Sequence, residues 1–337
     1  MGIAAARAVQ PLPGWMPPPS ASLPPVLRRY HHASYRAAQL ASAKAGATVS
    51  VCLPAREEAA TVGPIITAIR RELVTSLGLV DEIVVADDRS TDATAEVAAG
   101  AGARVVRTGP PAQSGAGKGA AMASALAAAR GEVIVFLDAD VESFSTRFVV
   151  GLLGPLLSDP EIGFVKATYR RPLAGAAGEG GRVTELVAKP LLELFRPDVA
   201  CFGQPLAGEL AARRSVLEAV PLPTDYGVDV ALLADTVARI GLGAMAEVDL
   251  GERIHRNRPL CQLAPQARSV IRAILDRAGA ARAVLDQAAA ARLEAVTRLE
   301  AATRLEAATR LEAATRPGGV LRRPEVSDMG TDVARPA

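Results

Sequence analysis

The sequence is short of aromatic side chains, and it lacks a strong net charge and a long hydrophobic run. Aromatics make up 3% of its 337 residues while half of all residues are hydrophobic, so we expect a core of Ala, Val and Leu. A formal net charge of +2 argues against a nucleic-acid partner, because domains that bind nucleic acids usually present a concentrated basic face. No stretch reaches the roughly 18 uninterrupted apolar residues of a membrane span.

Cysteine is also scarce, and its spacing excludes the common cysteine chemistries. Cys52, Cys201 and Cys261 are odd in number, lie far apart and form no Cys-x-x-Cys pair, which argues against a zinc or redox centre. Prolines interrupt the N-terminus before a signal-peptide core can form. We therefore predict a cytoplasmic protein.

The two ends of the chain differ in composition and patterning from its middle. Residues 1–47 are rich in Pro and Ala, which predicts a flexible leader with a short helix, and His31 and His32 are interpreted as a surface pair. Residues 292–316 repeat Arg-Leu-Glu-Ala-Ala-Thr. A six-residue period turns successive leucines by roughly 120°, so they form no coiled-coil seam. We predict a solvated helix and a disordered end in 284–337, with a partner-binding arm as the alternative.

Between these ends, apolar strands alternate with amphipathic helices. Predicted strands lie at 48–53, 82–86, 104–107, 132–137 and 246–250, and predicted helices at 57–76, 90–99 and 119–129. The first helix carries an apolar stripe made of Val62, Ile65, Ile66, Ile69 and Leu73. Continuous apolar strands alternating with helices indicate an α/β fold with a mostly parallel central sheet covered on both faces.

Polar residues follow several of these strands, at the edge where parallel sheets bind ligands. Asp138 and Asp140 come directly after the strand 132–137, and alternate residues leaving a strand can hold one hard cation together with diphosphate oxygens. Acidic pairs at strand ends are often only solvated turns. Lys118 lies in a Gly-rich segment, 115–119, that opens a helix and suits an anion, although a plain turn has the same pattern. Asp87 and Asp88 are candidates to accept hydrogen bonds from a base or ribose.

The segments 53–58, 87–92, 117–119 and 138–140 together resemble the nucleotide-sugar half of a GT-A glycosyltransferase, a Rossmann-like fold. The segments 165–172, 180–192, 204–209, 225–229 and 255–259 resemble the glucosyl-3-phosphoglycerate synthases of actinobacteria. The resemblance covers about residues 48–275. It implies a nucleotide-sugar half at 48–160, an acceptor-binding and metal-completing half at 161–283, and a homodimer.

The resemblance also assigns roles to matching positions. It places Pro54, Ala55, Glu58, Asp88 and Ala139 around the donor, Lys118 near its phosphates, and Asp138 near its sugar and ribose. It implies that Asp140 and His255 bind a divalent metal, with Mg²⁺ expected and Mn²⁺ or Co²⁺ as alternatives. It implies that Gly180, Arg182, Thr184 and Asn257 hold the phosphate and carboxylate of D-3-phosphoglycerate. An arginine beside small hydrogen-bond donors suits such an acceptor.

The function implied is retaining transfer of glucose from UDP-glucose to D-3-phosphoglycerate. One departure stands out: Asp229 occupies a position where the family commonly has a glutamate that assists reaction at the donor sugar, and aspartate is about one methylene shorter. Mannosyl-3-phosphoglycerate synthesis from GDP-mannose, or another GT-A transfer, is the alternative. A nucleotidyltransferase fits less well, because such enzymes usually have Gly-x-Gly near the first strand, where this chain has residues 54–58. A non-catalytic scaffold also fits less well, because it would not need the acidic residues, the lysine and the histidine named above.

Overall fold

The computed structural model describes residues 26–109, 117–172, 181–254 and 260–279. Its strands are β1 (Arg28–His31), β2 (Val49–Ala55), β3 (Glu82–Asp87), β4 (Arg104–Arg107), β5 (Val133–Phe136), β6 (Phe164–Arg170), β7 (Leu210–Arg213) and β8 (Met245–Glu252). Its α-helices are α1 (Ala37–Ala43), α2 (Ala59–Ile69), α3 (Thr94–Gly100), α4 (Lys118–Ala128), α5 (Arg147–Ser158), α6 (Lys189–Phe195), α7 (Pro197–Ala200), α8 (Arg214–Glu218), α9 (Val228–Ile240) and α10 (Leu260–Asp276). Two π-helical segments, Arg70–Thr75 and Thr184–Ala188, continue α2 and precede α6.

The strands form one sheet in the order β1-β8-β6-β7-β5-β2-β3-β4. Strand β7 runs antiparallel to its neighbours β5 and β6, and the other pairings are parallel. The predicted α/β fold with a mostly parallel sheet is confirmed. Strands from both predicted halves, 48–160 and 161–283, complete this one sheet. In the part of the chain that the structure describes, no helix has both the length and the apolarity needed to cross a bilayer.

Helices cover both faces of the sheet and bury two apolar clusters. Helices α2 and α5 pack on one face, where the stripe predicted for the first helix is buried as expected. Helices α4 and α9 pack on the other face. Small and branched aliphatic side chains fill most of both clusters, and the few aromatics are concentrated there: Phe136, Phe148, Phe164 and Phe202 are each at most 1% exposed. Since β-branched and aliphatic side chains fit a sheet buried on both faces, this composition explains the layered core.

Part of the segment predicted as a flexible leader is ordered instead. Residues 28–31 form β1, which pairs in parallel with β8, and the predicted short helix is α1. Leu40 of α1 is 3% exposed, so this segment is anchored by the core. The rings of His31 and His32 lie 4.5 Å apart at the surface end of β1, in line with the predicted surface pair. The repeat at 292–316 lies outside the described residues.

Candidate active site

The carboxyl ends of the parallel strands surround a cavity of about 230 Å³. The predicted site residues that line it are Pro54, Ala55, Glu58, Asp88, Lys118, Asp138, Ala139, Asp140, Arg182, Thr184 and Asp229. Gly180, His255 and Asn257 lie outside the described residues. The structure therefore brings together every predicted site residue that it describes, although these residues come from six separate segments of the chain.

Lys118 lies at the start of α4 and bridges two carboxylates. Its Nζ is 2.8 Å from Asp138 Oδ1 and 2.9 Å from Asp229 Oδ2. Burial by itself would lower the pKa of Lys118, but the two carboxylates outweigh it and raise that pKa well above its usual value. A Cβ on Gly208 would overlap both Asp138 Oδ1 and Lys118 Nζ, so only glycine leaves room for this ion pair. The ammonium is therefore fixed and charged at the cavity wall.

The glycines beside Lys118 have a packing role of their own. Gly117 has φ +124°, a conformation that residues with side chains rarely adopt. A Cβ on Gly119 would overlap the carbonyl oxygen of Pro223, whose loop passes directly over the start of α4. The sequence predicts that these glycines form an anion-binding loop. The structure gives a second reason for them, because residues 223–225 pass too close to leave room for a side chain. Residues 110–116, which include Gly115, are outside the described part.

Arg253, which the sequence analysis missed, ties the two predicted acidic residues together. Its Nη2 donates to Asp138 Oδ2 at 2.8 Å and to Asp140 Oδ1 at 2.9 Å. Its Nε lies 2.7 Å from Glu209 Oε1, close enough for an ion pair but not aligned as a hydrogen bond. Burial would raise the pKa of Asp138, yet Lys118 and Arg253 hold it well below its usual range. Asp138 is therefore a carboxylate that accepts from two cations.

Behind this pair lies a second set of residues that sequence reasoning did not find. Tyr169 donates its hydroxyl to Glu209 Oε2 at 2.7 Å, and Arg171 Nη2 donates to the Tyr169 hydroxyl oxygen at 2.8 Å. Glu209 is completely buried, and burial raises its pKa against the opposing effect of Arg253. Both residues lie in segments that carry the family resemblance, 165–172 and 204–209, but the resemblance gave them no role. Arg171 directly follows β6, as polar site residues follow other strands, whereas Glu209 precedes the antiparallel β7 and had no such signal.

Lys166 lies beneath the cavity on β6 with no exposed surface. Its Nζ donates to the main-chain oxygen of Asp229 at 3.5 Å, in the first turn of α9. Burial lowers the pKa of Lys166 to about 8, and the nearby Lys118 acts in the same direction, against the carboxylates of Asp229, Glu209 and Asp138. Asp229 itself is 7% exposed, and its Oδ1 is buried without a hydrogen-bond partner among residues 26–109, 117–172, 181–254 and 260–279.

At the other end of the cavity, Asp88 is held by neighbouring cations. Arg89 Nη2 donates to its Oδ1 at 2.5 Å, and Arg56 Nη1 lies 3.7 Å from its Oδ2. Thr108 donates its hydroxyl to Oδ1 at 3.0 Å. The main-chain N–H of Asp88 donates to Ala55 at 2.8 Å, which joins the loops after β2 and β3. The result is a polar, partly preorganised end of the cavity.

Residues 181–184 and α10 complete the lining of the cavity. Arg182 and Thr184 line it, and the preceding Gly181 has φ +77°. Helix α10 adds Leu263, Gln266 and Val270. A ligand that fills the cavity would therefore meet both charged loops and a partly apolar helix face.

The residues present fit a hard divalent cation. Asp138 and Asp140 place carboxylate oxygens on the cavity wall, which is the ligand type that Mg²⁺ and Mn²⁺ prefer. Within the described ranges, no cluster of three or more His, Cys, Asp or Glu side chains is arranged to hold a metal. His255, which the family resemblance pairs with Asp140 as a metal ligand, lies outside those ranges.

Comparison with known proteins places this arrangement among glycosyltransferases. Residues 50–176 match the model of glycosyl transferase family 2. The chain is 48% identical over 263 residues to glucosyl-3-phosphoglycerate synthase of Mycolicibacterium paratuberculosis, a match that spans 75% of this chain and 79% of that protein.

Two solved structures give the same picture in three dimensions. Glucosyl-3-phosphoglycerate synthase of Mycobacterium tuberculosis, crystallised with Mn²⁺, UDP-glucose and phosphoglyceric acid, aligns with a TM-score of 0.69 at 44% identity over 75% of this chain and 88% of that one. Mannosyl-3-phosphoglycerate synthase of Rubrobacter xylanophilus aligns with a TM-score of 0.70 at 43% identity over 74% of this chain and 80% of the other. The strand ends that surround the cavity thus lie in a fold shared with both proteins.

Proposed function

This chain belongs to the family of glucosyl-3-phosphoglycerate synthases, which are glycosyltransferases, and we propose that it transfers glucose from UDP-glucose to D-3-phosphoglycerate. The bond between glucose C1 and the UDP oxygen breaks, and a bond forms between C1 and the secondary hydroxyl oxygen of the acceptor. The hydroxyl proton leaves with the departing UDP. The observation that carries the proposal is the cluster formed by Lys118, Asp138, Asp140, Asp229 and Arg253 at the cavity wall.

In this proposal Lys118 stabilises the leaving group. Its ammonium is fixed by Asp138 and Asp229 at the wall of the cavity, and it stays charged because the two carboxylates raise its pKa. A preorganised cation acts most strongly on the charge that develops on the diphosphate as the C1–O bond breaks, since it needs no reorganisation at that moment. Pro54, Ala55, Glu58, Asp88 and Ala139 line the part of the cavity assigned to the rest of the donor.

A divalent metal is part of the proposal, with Mg²⁺ expected and Mn²⁺ or Co²⁺ as alternatives. When bound, the metal supplies charge neutralisation for the leaving UDP. Asp140 and His255 would hold it. Arg253 holds Asp138 and Asp140 in place, because its Nη2 donates to both carboxylates. The family resemblance assigns Asp138 to the donor sugar and ribose.

Asp229 is assigned to the donor sugar. Its Oδ2 is paired with Lys118, and its buried Oδ1 has no hydrogen-bond partner among the described residues, which supports a contact with a sugar hydroxyl. Leaving such an atom unpaired costs free energy that a substrate hydrogen bond would recover. No side chain stands out as a covalent nucleophile, and attack from the face of the leaving group, with retention, is what the family resemblance implies.

The acceptor is assigned to the wall formed by Arg182 and Thr184, with Gly180 and Asn257 outside the described residues. A phosphate and a carboxylate on one small molecule suit an arginine with hydroxyl and amide donors beside it. A homodimer also belongs to this proposal, by the family resemblance. A cytoplasmic location belongs to it as well, by the scarce, unpaired cysteines.

The test is a panel of donors and acceptors. Sugar transfer is measured from UDP-glucose, GDP-glucose and GDP-mannose to 3-phosphoglycerate, with Mg²⁺ and with a chelator. We expect UDP-glucose to react fastest and the chelator to stop the reaction. Preference for GDP-mannose would overturn the donor assignment in favour of the mannosyl alternative. No transfer from any donor would overturn the proposal as a whole.

A further inference from the structure

Arg171 lines the cavity without a carboxylate partner in the part of the chain that the structure describes. The positively charged side chains that line it are Arg56, Lys118, Arg171, Arg182 and Arg253. Of these, Arg56, Lys118 and Arg253 each lie within 4.0 Å of a carboxylate. Arg171 forms no ion pair with any described residue, and its Nε is buried without a hydrogen-bond partner. A buried, unpaired guanidinium N–H is costly, and it indicates that a partner is supplied by something outside the described protein.

The side chain of Arg171 is held in one position. Its Nη2 donates to the Tyr169 hydroxyl at 2.8 Å, and its guanidinium carbon lies 5.0 Å from the centre of the Tyr169 ring. Tyr169 is in turn fixed, because its hydroxyl donates to the buried Glu209. The orientation of Arg171 is therefore set before any ligand binds, which lowers the entropic cost of binding one.

Arg171 also lies against the loop assigned to the acceptor. A Cβ built on Gly181 would be 3.4 Å from its Cδ and 3.6 Å from its Nη1. Arg182 and Thr184 follow Gly181 on the same side of the cavity. The guanidinium thus has one donor used by Tyr169 and others directed to the region next to the acceptor loop.

We infer that Arg171 is a second arginine for the acceptor, binding one of its anionic groups next to Arg182. The inference rests on the proposed function, and it adds a residue that the family resemblance did not assign. D-3-Phosphoglycerate carries a carboxylate and a phosphate of about two negative charges, more than one arginine neutralises. The cations Arg56, Lys118 and Arg253 are already neutralised in part by carboxylates within 4.0 Å, whereas no described carboxylate lies within that distance of Arg171.

The experiment measures the Kd of 3-phosphoglycerate by calorimetry with UDP and Mg²⁺ present, so that no turnover is needed. Arg171→Gln should raise this Kd about ten- to hundredfold, the loss of one or two charge-assisted hydrogen bonds. The KM for UDP-glucose should stay within about twofold of the wild type. The matched control is Arg170→Gln, which removes the same charge from the adjacent, exposed arginine and should leave the Kd unchanged.

Two further variants keep the test decisive if Arg171→Gln is unstable. Arg171→Lys retains the charge and should therefore recover part of the affinity. Recovery should be incomplete, because a lysine cannot form the bidentate contact. Tyr169→Phe removes the hydroxyl that holds Nη2 and should weaken acceptor binding by a few-fold. Glycerate and glycerol 3-phosphate identify the group bound: the penalty of Arg171→Gln should vanish for whichever molecule lacks that group.

Three results would overturn the inference: an unchanged Kd in Arg171→Gln and Tyr169→Phe, an equal loss in Arg170→Gln, or an equal loss of UDP-glucose affinity. The last would mean that Arg171 only supports the shape of the site. Failure of the proposed function would be recognised separately, because the wild-type protein would then show no sugar transfer in the donor panel.

Discussion

The charged side chains at the two ends of the central strands differ in how their hydrogen bonds are satisfied. At the amino end, the Glu82 carboxylate accepts from Ser50 Oγ at 2.6 Å, from Arg104 Nη2 at 2.8 Å and from the Arg130 N–H at 2.5 Å. At the carboxyl end, the buried polar atoms without a hydrogen-bond partner include Arg171 Nε and Asp229 Oδ1. Within the described residues, the Glu82 carboxylate has its partners in the fold, whereas these two atoms at the carboxyl end have none.

This difference separates residues that stabilise the fold from residues that bind a substrate. A buried group without a partner costs free energy in the unliganded protein, so its persistence next to a cavity indicates a ligand that supplies the missing partner. Of the five buried side-chain atoms without a hydrogen bond in the described chain, Arg253 Nε and Glu209 Oε1 form an ion pair with each other at 2.7 Å. Two of the other three, Arg171 Nε and Asp229 Oδ1, belong to side chains that line the cavity. Substitutions at the two ends should therefore affect different measurements.

The largest effect is expected from Asp140→Asn. We expect kcat/KM for UDP-glucose to fall about a thousandfold, because a metal-binding carboxylate that acts on the leaving group is lost. The melting temperature should change little, since the side chain is 23% exposed and Arg253 keeps Asp138 as a partner. Steady-state kinetics at saturating Mg²⁺ and a thermal melt measure the two quantities. Retention of more than about a tenth of the activity would remove Asp140 from the metal site.

Asp88→Ala should have a smaller effect, limited to the donor. The carboxylate lies at the end of the cavity assigned to the base, fixed there by Arg89 and Thr108. Loss of one hydrogen bond to a charged group should raise the KM for UDP-glucose about tenfold and leave the KM for 3-phosphoglycerate unchanged. Arg107→Ala, a change on the exposed end of β4, is the control. A shift in both KM values would mean that Asp88 supports the loops rather than the base.

Lys166→Met tests whether a buried charge below the cavity influences the reaction. Since burial lowers the pKa of Lys166 to about 8, wild-type kcat/KM should decline as pH rises through that value and the ammonium is lost. The variant should be about three- to tenfold slower at pH 7, the effect of one charge several ångströms away, and should lack the step near pH 8.

Stability provides the second measurement on Lys166. The folded pKa lies below the unfolded value of about 10.4, so the unfolded state binds more protons between them, and wild-type stability should rise with pH across that window. Denaturant unfolding at pH 7.5 and 10 should show this rise in the wild type and not in the variant. A wild-type step that persists in Lys166→Met would assign the titration to another group.

The same comparison explains what the sequence could predict. The βα units were found because their signals are local: the stripe of α2 and the apolar runs of β2, β3 and β5 each lie within a few residues of one another. Asp138 and Asp140 were found because they directly follow such a run. Their convergence with Lys118 and Asp229 followed from the rule that parallel strands bind ligands at their carboxyl ends, together with the family resemblance.

The remaining features depend on contacts between distant parts of the chain. Glu209 reaches Arg253 only because β7 inserts antiparallel between β5 and β6, a pairing with no local signal. Strand β1 forms only by pairing with β8, more than two hundred residues later, so its own sequence resembled a leader. The burial of Lys166 is likewise set by the helix above it. Patterns in a single sequence report neighbours along the chain. The neighbours of Glu209, of β1 and of Lys166 lie in distant parts of the chain instead.

The smallest effect on activity, and a clear one on stability, is expected from Glu82→Gln at the amino end. Burial alone would raise the pKa of Glu82, but hydrogen bonds from Ser50, Arg104 and the Arg130 N–H lower it below its usual value. The variant should lose about 1 to 3 kcal/mol of stability and melt roughly 3 to 10 °C lower, with kcat/KM unchanged. Kinetics at 25 °C and a thermal melt measure both.

The pH dependence of that loss can be stated with its sign. Because the folded pKa of Glu82 is depressed, its contribution is fully present above the unfolded value of about 4.3 and is lost as pH falls through the folded pKa. The difference in melting temperature between wild type and Glu82→Gln should therefore narrow in acid. A residue whose hydrogen bonds are made within the fold should not affect the reaction. A fall in kcat/KM that matches the fall in stability would therefore show that the two strand ends are coupled.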